Sequence, residues 1–360
     1  MTRKERIEAV VKGEIINEIP YHFDLTLKMS HRIAEYYNFR NEEVEEYIGN
    51  HFLYLSPNPP DDFRVSQNKE DTLKRDSGTY SQGLKKVDGN KFIDEFGVTW
   101  DNESSYDAGD WGMIDNPVKN RDLDNYKFPD GYAPGRFRGL EKNVDKHPDR
   151  FNVLLMTGLL DTAWHIVGIQ DLLMSMATND NKFIDKILDL SMEYIIGVVS
   201  QIPEYVEGVR FLEDWGGQNG LMMSLDHWQK FLKPRLRKIY NAVKSNNCTV
   251  ISHSDGNITE LFPELIELGV DVSDPTQPEV MDLKHIKKEF GKDIVFFGGL
   301  GCQSTIPLGT PDEVIKEVKD TIKILNEGGR YILGPSGSIP TEAPIDNVAV
   351  LIEFCKELVK

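Results

Sequence analysis

From residue 151 onward the chain alternates short apolar runs with amphipathic stretches, and this alternation restricts the fold more than any other feature. Strand-like runs occupy Asn152 to Met156, Val209 to Glu213, Thr249 to Ser252, Val270 to Ser273, Ile294 to Phe297 and Arg330 to Leu333. Between and after them, the apolar spacing predicts helices near 161–177, 181–203, 226–245, 258–268, 282–290, 311–327 and 345–359. One start is marked clearly: Thr310-Pro311-Asp312-Glu313 has a capping Thr, Pro at the first helical position and Glu three residues on.

Upstream, residues 2–13 read as a helix, and Glu18-Ile19-Pro20-Tyr21-His22-Phe23-Asp24 as a first strand entered through a proline. Helices near 26–37 and 41–50 follow. Residues from about 55 to 150 break the rhythm. Ser56-Pro57-Asn58-Pro59-Pro60-Asp61-Asp62 is a loop, Val87-Asp88-Gly89-Asn90-Lys91-Phe92 carries a hairpin signal, and Phe96-Gly97-Val98-Thr99-Trp100 reads as a return strand. Counting the first strand and one from the irregular region gives about eight βα units, the number of a closed parallel barrel. The expected fold is α/β: a (β/α)8 TIM barrel forming a single domain over 1–360, with an N-terminal helical extension and a β-hairpin insertion. An open doubly wound sheet is the alternative.

In a barrel of this kind, side chains at the carboxyl ends of the strands converge on one rim. Val250-Ile251-Ser252-His253-Ser254-Asp255-Gly256 is a strand ending in a His-x-Asp-Gly turn, which places His253 and Asp255 there. Glu213, Asp214 and Trp215 end the run before it, and Asp274 ends the run after it. Gly298-Gly299 and Cys302 follow Ile294 to Phe297, and Ser336 follows Tyr331-Ile332-Leu333. Each has a plainer reading. His253 also suits a structural histidine on a backbone carbonyl, Asp255 a cap for the helix near Asn257, and Asp274 a turn before Pro275. Glu213 and Asp214 also suit ion pairs with Arg210 or Arg235, and Cys302 a small buried hydrophobe. The glycine runs at 216–220 and 298–301 lack the Lys-Ser/Thr ending of a phosphate loop, and Met222-Met223 fits a wall.

A formal charge of −18 disfavours nucleic acid, anionic membrane surfaces and strongly anionic substrates, because a field of that sign repels them before contact. A neutral or weakly charged small molecule is the easier ligand. Three cysteines, Cys248, Cys302 and Cys355, are too few and scattered for a disulfide framework. There is no run of about 18 apolar residues and no basic-then-apolar leader, so a cytoplasmic protein is expected.

Several segments, taken in order, resemble the uroporphyrinogen decarboxylase superfamily. They are Phe211-Leu212-Glu213-Asp214-Trp215-Gly216, Leu225 to Arg237, His253-Ser254-Asp255-Gly256, Val272-Ser273-Asp274-Pro275, Gly298 to Gln303, Leu308 to Val314 and Pro344-Ile345-Asp346-Asn347. The resemblance implies a TIM barrel with its cleft at the strand carboxyl ends, and either porphyrinogen decarboxylation or methyl transfer with a corrinoid (cobalamin). Decarboxylases of the family carry an Arg-Gln-Ala-Gly-Arg motif after the first strand. Here Tyr21-His22-Phe23-Asp24-Leu25-Thr26-Leu27-Lys28 has no arginine, which argues against gripping a polycarboxylate.

The zinc-dependent methyltransferase branch carries a His-x-Cys pair on one strand end and a Cys on the last. Here the pair is His253-x-Asp255, and Ser336 stands near the last position. A soft thiolate set has given way to nitrogen and oxygen, which leaves a Zn site of His253 with Asp255, Asp274 or Cys302, or a metal-free acid/base site. The resemblance to corrinoid-dependent O-demethylase methyltransferases of anaerobes implies catalytic roles for His253, Asp255, Glu213 and Asp214. It implies substrate contacts from His22, Asp24, Trp215, Asp274, Gly299 and Ser336. The expected reaction takes a methyl group from a small aromatic methyl ether to the cobalt of a separate corrinoid protein. No Asp-x-His-x-x-Gly run is present to bind the corrinoid in this chain. The alternatives are a decarboxylase of a small acid and a non-catalytic ligand-binding barrel, with a homodimer among the assemblies allowed.

Overall fold

Seven parallel strands make a curled sheet in the order β1-β7-β8-β11-β12-β13-β14, wrapped by helices, in a computed structural model that describes residues 1–61, 63, 72–74, 83–101 and 112–359. The strands are β1 (Phe52–Leu55), β7 (Phe151–Thr157), β8 (Gly208–Leu212), β11 (Thr249–His253), β12 (Val272–Thr276), β13 (Val295–Leu300) and β14 (Tyr331–Pro335). Between β1 and β7 lies an antiparallel sheet of β2 (Thr72–Lys74), β3 (Gly83–Asp88), β4 (Lys91–Ile93), β5 (Thr99–Asp101) and β6 (Gly112–Asp115). A two-residue ribbon, β9 (Gly216–Gly217) with β10 (Gly220–Leu221), follows β8. The main strands are covered on both faces, which is why their sequences run apolar without a break.

The gap between β14 and β1 is filled by residues 20–25, and this differs from the first strand expected at 18–24. Only isolated parallel bridges form there, Tyr21 to Leu333 and Leu25 to Ile339. His22 N–H donates to Leu333 O (3.0 Å) and Leu333 N–H to Pro20 O (2.9 Å), but Phe23 N–H finds the Asn50 side chain (2.8 Å) rather than a strand. A side-chain acceptor on one side replaces part of the ladder. The circuit closes as a barrel with a frayed eighth place, and the doubly wound alternative falls. The strand expected from the irregular region is β1, which ends where that region begins. The hairpin signal at 87–92 is the β3–β4 turn, and Asp62 of the expected loop lies outside the described residues.

Helix boundaries moved for local reasons. The stretch expected at 161–177 is two helices, Leu159–Val167 and Ile169–Thr178, divided at Gly168 with φ +88°. The one expected at 226–245 contains a wide turn at Trp228–Leu232, where Pro234 has no N–H to donate back to residue 230. The Thr310 capping box is present as expected.

Two apolar layers hold the barrel. Inside it, Phe52, Phe151, Val153, Ile251, Val272, Val295, Phe297 and Ile332 meet Ile7 and Val10 of the helix Arg3–Lys12, which plugs the amino end. Outside, the alternate strand residues pack against the helices. Gly299, expected in substrate contact, belongs to this outer layer. A Cβ there would fall 2.7 Å from Thr321 Cγ2 and 2.9 Å from a Leu325 methyl, at φ +95°. The position keeps β13 close to the helix Pro311–Leu325 and faces away from the cleft. Gly299→Ala should therefore lower the unfolding free energy by about 2–4 kcal/mol, from left-handed strain plus overpacking. Urea denaturation of the variant measures this, and an unchanged midpoint would contradict the packing role.

Candidate functional site

Period-two alternation along the strands turns Tyr54, Arg210, His253 and Asp274 into the barrel, above the apolar layer that closes its amino end. Arg210, 1% exposed on its side chain, is the centre of this layer. Its Nε donates to Asp274 Oδ2 at 2.5 Å, and its Nη1 donates to Asp24 Oδ2 at 2.9 Å and Tyr54 Oη at 2.7 Å. The guanidinium also lies over the rings of Tyr54 and Phe297, 5.3 and 5.8 Å from their centroids. Burial alone would raise the Asp24 carboxyl, but Arg210 and His22 outweigh it and hold it well below the usual range. His22 is buried: its Nδ1 accepts from Phe52 N–H at 3.3 Å, which leaves the proton on Nε2, 3.3 Å from Asp24 Oδ1. The expected contact of His22 with substrate is thus corrected, since it reaches the site only through Asp24.

Asp274 Oδ2 also lies 2.9 Å from His253 Nδ1. A carboxylate there makes Nδ1 the donor, so the Arg210 Nη2 at 3.2 Å from the same nitrogen is a neighbour and not a bond. Burial pushes the His253 imidazole down, and the Asp274 carboxylate more than offsets this, carrying it up to about 9. Nε2 is left facing Asp255, 3.9 Å from Oδ1. Asp214 completes the group: one ligand atom from each of Asp214, His253 and Asp255 lies within 4.8 Å of the others. Asp214 is held in place at both ends, its N–H on Asp161 Oδ1 (3.3 Å) and its Oδ1 on Asp255 N–H (2.9 Å). Asp255 is raised by its setting inside the mouth and by Asp214 and Asp274, and lowered by His253. More than half of its side-chain surface reaches solvent, which weakens the first of these.

The remaining expected residues sort themselves by burial. Glu213 is 1% exposed and its Oε2 accepts from Leu160 N–H at 2.8 Å, holding the start of the helix Leu159–Val167. It is pressed so closely on Gly158 that a Cβ there would sit 1.8 Å from its Cγ, and burial lifts its carboxyl to about 7. Glu213, expected to be catalytic, thus sits in the wall of the site. Trp215 is fully buried edge-on against Trp228 at 5.6 Å, so it too is wall rather than contact surface. Ser336 Oγ accepts from Cys302 N–H at 3.2 Å and donates to Glu279 at 3.4 Å.

Two of the expected metal ligands are engaged elsewhere in the structure. Asp274 has the oxygen nearest the histidine committed to Arg210 and His253. Cys302 turns its thiol to Gly337 O at 3.2 Å, and burial keeps that thiol protonated. Asp214, which was not among the expected ligands, lies in the cluster with His253 and Asp255. Arg210 pairs with Asp24 and Asp274, and Arg235 with Asp185 and Asp189, so Glu213 and Asp214 are partners of neither. Asp255 is not a helix cap, because Thr259 N–H bonds to Asn257 instead. Sequence reading missed Tyr54, Asp161 and the central role of Arg210. The only signal for Arg210 was a charge in the middle of an otherwise apolar strand.

A family model described as uroporphyrinogen decarboxylase (URO-D) matches residues 107–358. A methylated-thiol–coenzyme M methyltransferase of Methanosarcina mazei is 24% identical over 204 residues, 56% of this chain and 52% of that protein. A uroporphyrinogen decarboxylase of Dichelobacter nodosus is 28% identical over 163 residues, 44% of this chain and 43% of that one. The chain spans about half the length of these curated relatives in the matched regions. A solved methyltransferase from Methanosarcina mazei has the same fold, with a TM-score of 0.72 over 100% of both chains at 17% identity. Among the described residues no helix is long and apolar enough to cross a membrane.

In chelator-treated protein, His253 should titrate near pH 9 instead of 6.5, and Asp274→Asn should bring it below 6.5, as followed by imidazole NMR shifts. The folded value is raised, so the pair's stabilisation is fully present below pH 6.5 and is lost as pH rises through about 9. A titration indifferent to Asp274→Asn would break the assignment.

Proposed function

The chain belongs to the uroporphyrinogen decarboxylase family, and from that premise we propose that it is a methyltransferase. In this reading it removes the methyl group of a small, aromatic O-methyl ether and passes it to the cobalt of a separate corrinoid protein. One observation carries the reading: His253, oriented from below by Asp274, presents Nε2 to the open mouth beside Asp214 and Asp255. The methyltransferase relative and the methyltransferase of the same fold support the reaction class.

Decarboxylation of a porphyrinogen fits the interior poorly. The guanidinium that reaches the centre is already matched by Asp24 and Asp274, and the open rim adds the carboxylates of Asp214 and Asp255. A polyanion would meet uncompensated negative charge. A neutral ether meets no such penalty.

The difficult part of ether demethylation is the leaving group. The C–O electron pair stays on oxygen, and the departing alkoxide or phenolate needs a proton or a Lewis acid. Reduced cobalt of the corrinoid supplies the nucleophile for the methyl carbon. The chain's own contribution is at His253, where Nε2 can hold the proton that the oxygen receives while Asp274 steadies the resulting change in charge. Zinc also fits the donor set: one imidazole nitrogen and two carboxylates, with Asp274 fixing the far side of the ring. His253, Asp214 and Asp255 would hold it, and it would polarise the ether oxygen.

Turnover of candidate methoxyarenes to phenols should require added reduced corrinoid protein or high free cob(I)alamin, and demethylation without any corrinoid would refute the reading. His253→Ala should slow methyl transfer by about two to four powers of ten with little change in substrate binding, and less for more acidic phenols. Equal losses for good and poor leaving groups would show that His253 only shapes the cleft.

Elemental analysis of protein purified without chelator tests the metal separately. Asp214→Ala, Asp255→Ala and His253→Ala should each shed zinc, whereas Cys302→Ala should retain it. Stoichiometric zinc in His253→Ala would overturn the ligand set, and full activity without metal would leave proton donation as the mechanism.

A further inference from the structure

The opposite end of the barrel carries a second concave site with the contrary charge. A cavity of about 1270 Å³ opens beside Gly291 and Arg330, the residues that lead into β13 and β14, and therefore at the amino ends of the strands. Lys284, Lys287, Lys288, Lys292, Lys323 and Arg330 line it. Two carboxylates, Asp320 and Glu327, share the lining, so the local balance is strongly positive in a chain whose formal charge is −18.

Apart from Lys288, which pairs with Glu289 at 3.5 Å, these cations are not consumed by carboxylate neighbours. Among the described residues, Lys284, Lys287, Lys292, Lys323 and Arg330 form no ion pair within 4.0 Å. Lys287 is only 8% exposed and directs its ammonium to Gly329 O at 2.6 Å, which uses one of its three donors. Arg330 Nη1 donates to Val11 O at 3.3 Å and its head packs on Gly13, where a Cβ would come within 2.5 Å of Nη2. Both long side chains are therefore held in place, while Lys284, Lys288, Lys292 and Lys323 are exposed around them.

Helix dipoles explain only part of the cluster. Lys287, Lys288 and Lys323 lie in the last turns of their helices, where a cation is favourable. Lys284 lies in the first turn of Leu283–Phe290, the unfavourable end, and Lys292 lies beyond its last residue. We infer that this cleft is a binding site for a small ligand carrying a short chain of phosphates. Multiple ammonium and guanidinium donors around one cavity suit an anion with several oxygens, and among the described residues no aromatic ring lines the cavity to stack a base. Far-field repulsion from the acidic chain does not prevent binding, because charges more than about 8 Å away are screened at physiological salt.

Calorimetric titration of the full chain with tripolyphosphate tests the site independently of methyl transfer. Saturable one-to-one binding is expected, weakening as salt rises. Lys284→Gln with Lys323→Gln should reduce affinity by at least about tenfold, since both are exposed and make charge-assisted contacts. Lys142→Gln with Lys146→Gln, which lie outside the cavity, should leave it unchanged. ATP run in parallel distinguishes the source. Equal affinity means that the phosphate chain alone is read, whereas tighter ATP means that a nucleotide is the ligand. Absence of saturable binding of either, or equal loss in both lysine pairs, would overturn the site.

Discussion

The buried guanidinium of Arg210 is the interaction on which the upper half of this barrel depends. Taking a cation out of water costs several kcal/mol, and only good geometry with matched carboxylates offsets it. Asp274 from β12 and Asp24 from the irregular segment 20–25 provide that match, and Tyr54 from β1 adds a neutral acceptor. These residues sit on four different elements around the barrel. The place where the strand ladder is weakest, the segment closed by isolated bridges, is thus tied to the far wall by an ion pair. The same arrangement fixes the site. Asp274 can orient His253 only because Arg210 holds Asp274, so the polar layer that supports the barrel also sets which imidazole nitrogen faces the mouth.

That layer also separates two kinds of carboxylate. Asp24 and Asp274 lie below the histidine and are neutralised in place. Asp214 and Asp255 lie beside its free nitrogen and are open to solvent or to a ligand. Behind Asp214, Asp161 is buried against Asp214 and Glu213, and burial and those two neighbours push its carboxyl up. Asp161 Oδ1 accepts from the Asp214 backbone N–H from this buried position. The negative charge at the mouth is concentrated in the two carboxylates that face His253.

Much of the fold was legible in the sequence, because strands covered on both faces must be apolar throughout and the helices between them must be amphipathic. The runs at 152–156, 209–213, 249–252, 270–273, 294–297 and 330–333 each overlap a barrel strand, with boundaries off by one or two residues at 213, 270–271, 294 and 330. What was not legible was the eighth place, since an Asn50 side chain standing in for a ladder partner leaves no periodic trace. At the site, position along a strand was readable but depth was not. His253, Asp255 and Asp214 met at the rim as their strand ends required. Glu213 and Trp215 share that sequence neighbourhood yet turn into the wall, because adjacent residues point to opposite faces, whereas Gly299 turns to the helix layer where the left-handed φ of Gly298 and Gly299 breaks the alternation. Sequence reading offers Arg210 only as an ion partner for its near neighbours Glu213 and Asp214, whereas its partners are 64 and 186 residues away.

Measured against the thiolate set that the family resemblance implies, the oxygen donors proposed here bear on chemistry as well as on affinity. A thiolate is a strong electron donor and reduces the positive character of a metal that it binds, which suits a site whose task is to activate another thiolate. Carboxylate and imidazole donors leave more of that character for a hard oxygen, and in the absence of metal the same His253 can hold a proton. Both uses favour a substrate whose difficulty lies at an oxygen leaving group. A neutral ether is also the kind of molecule that can approach Asp214 and Asp255 without electrostatic cost. In the proposed reading, the oxygen donors and the negative charge of the rim are both supplied by Asp214 and Asp255, and both favour a neutral substrate with an oxygen leaving group.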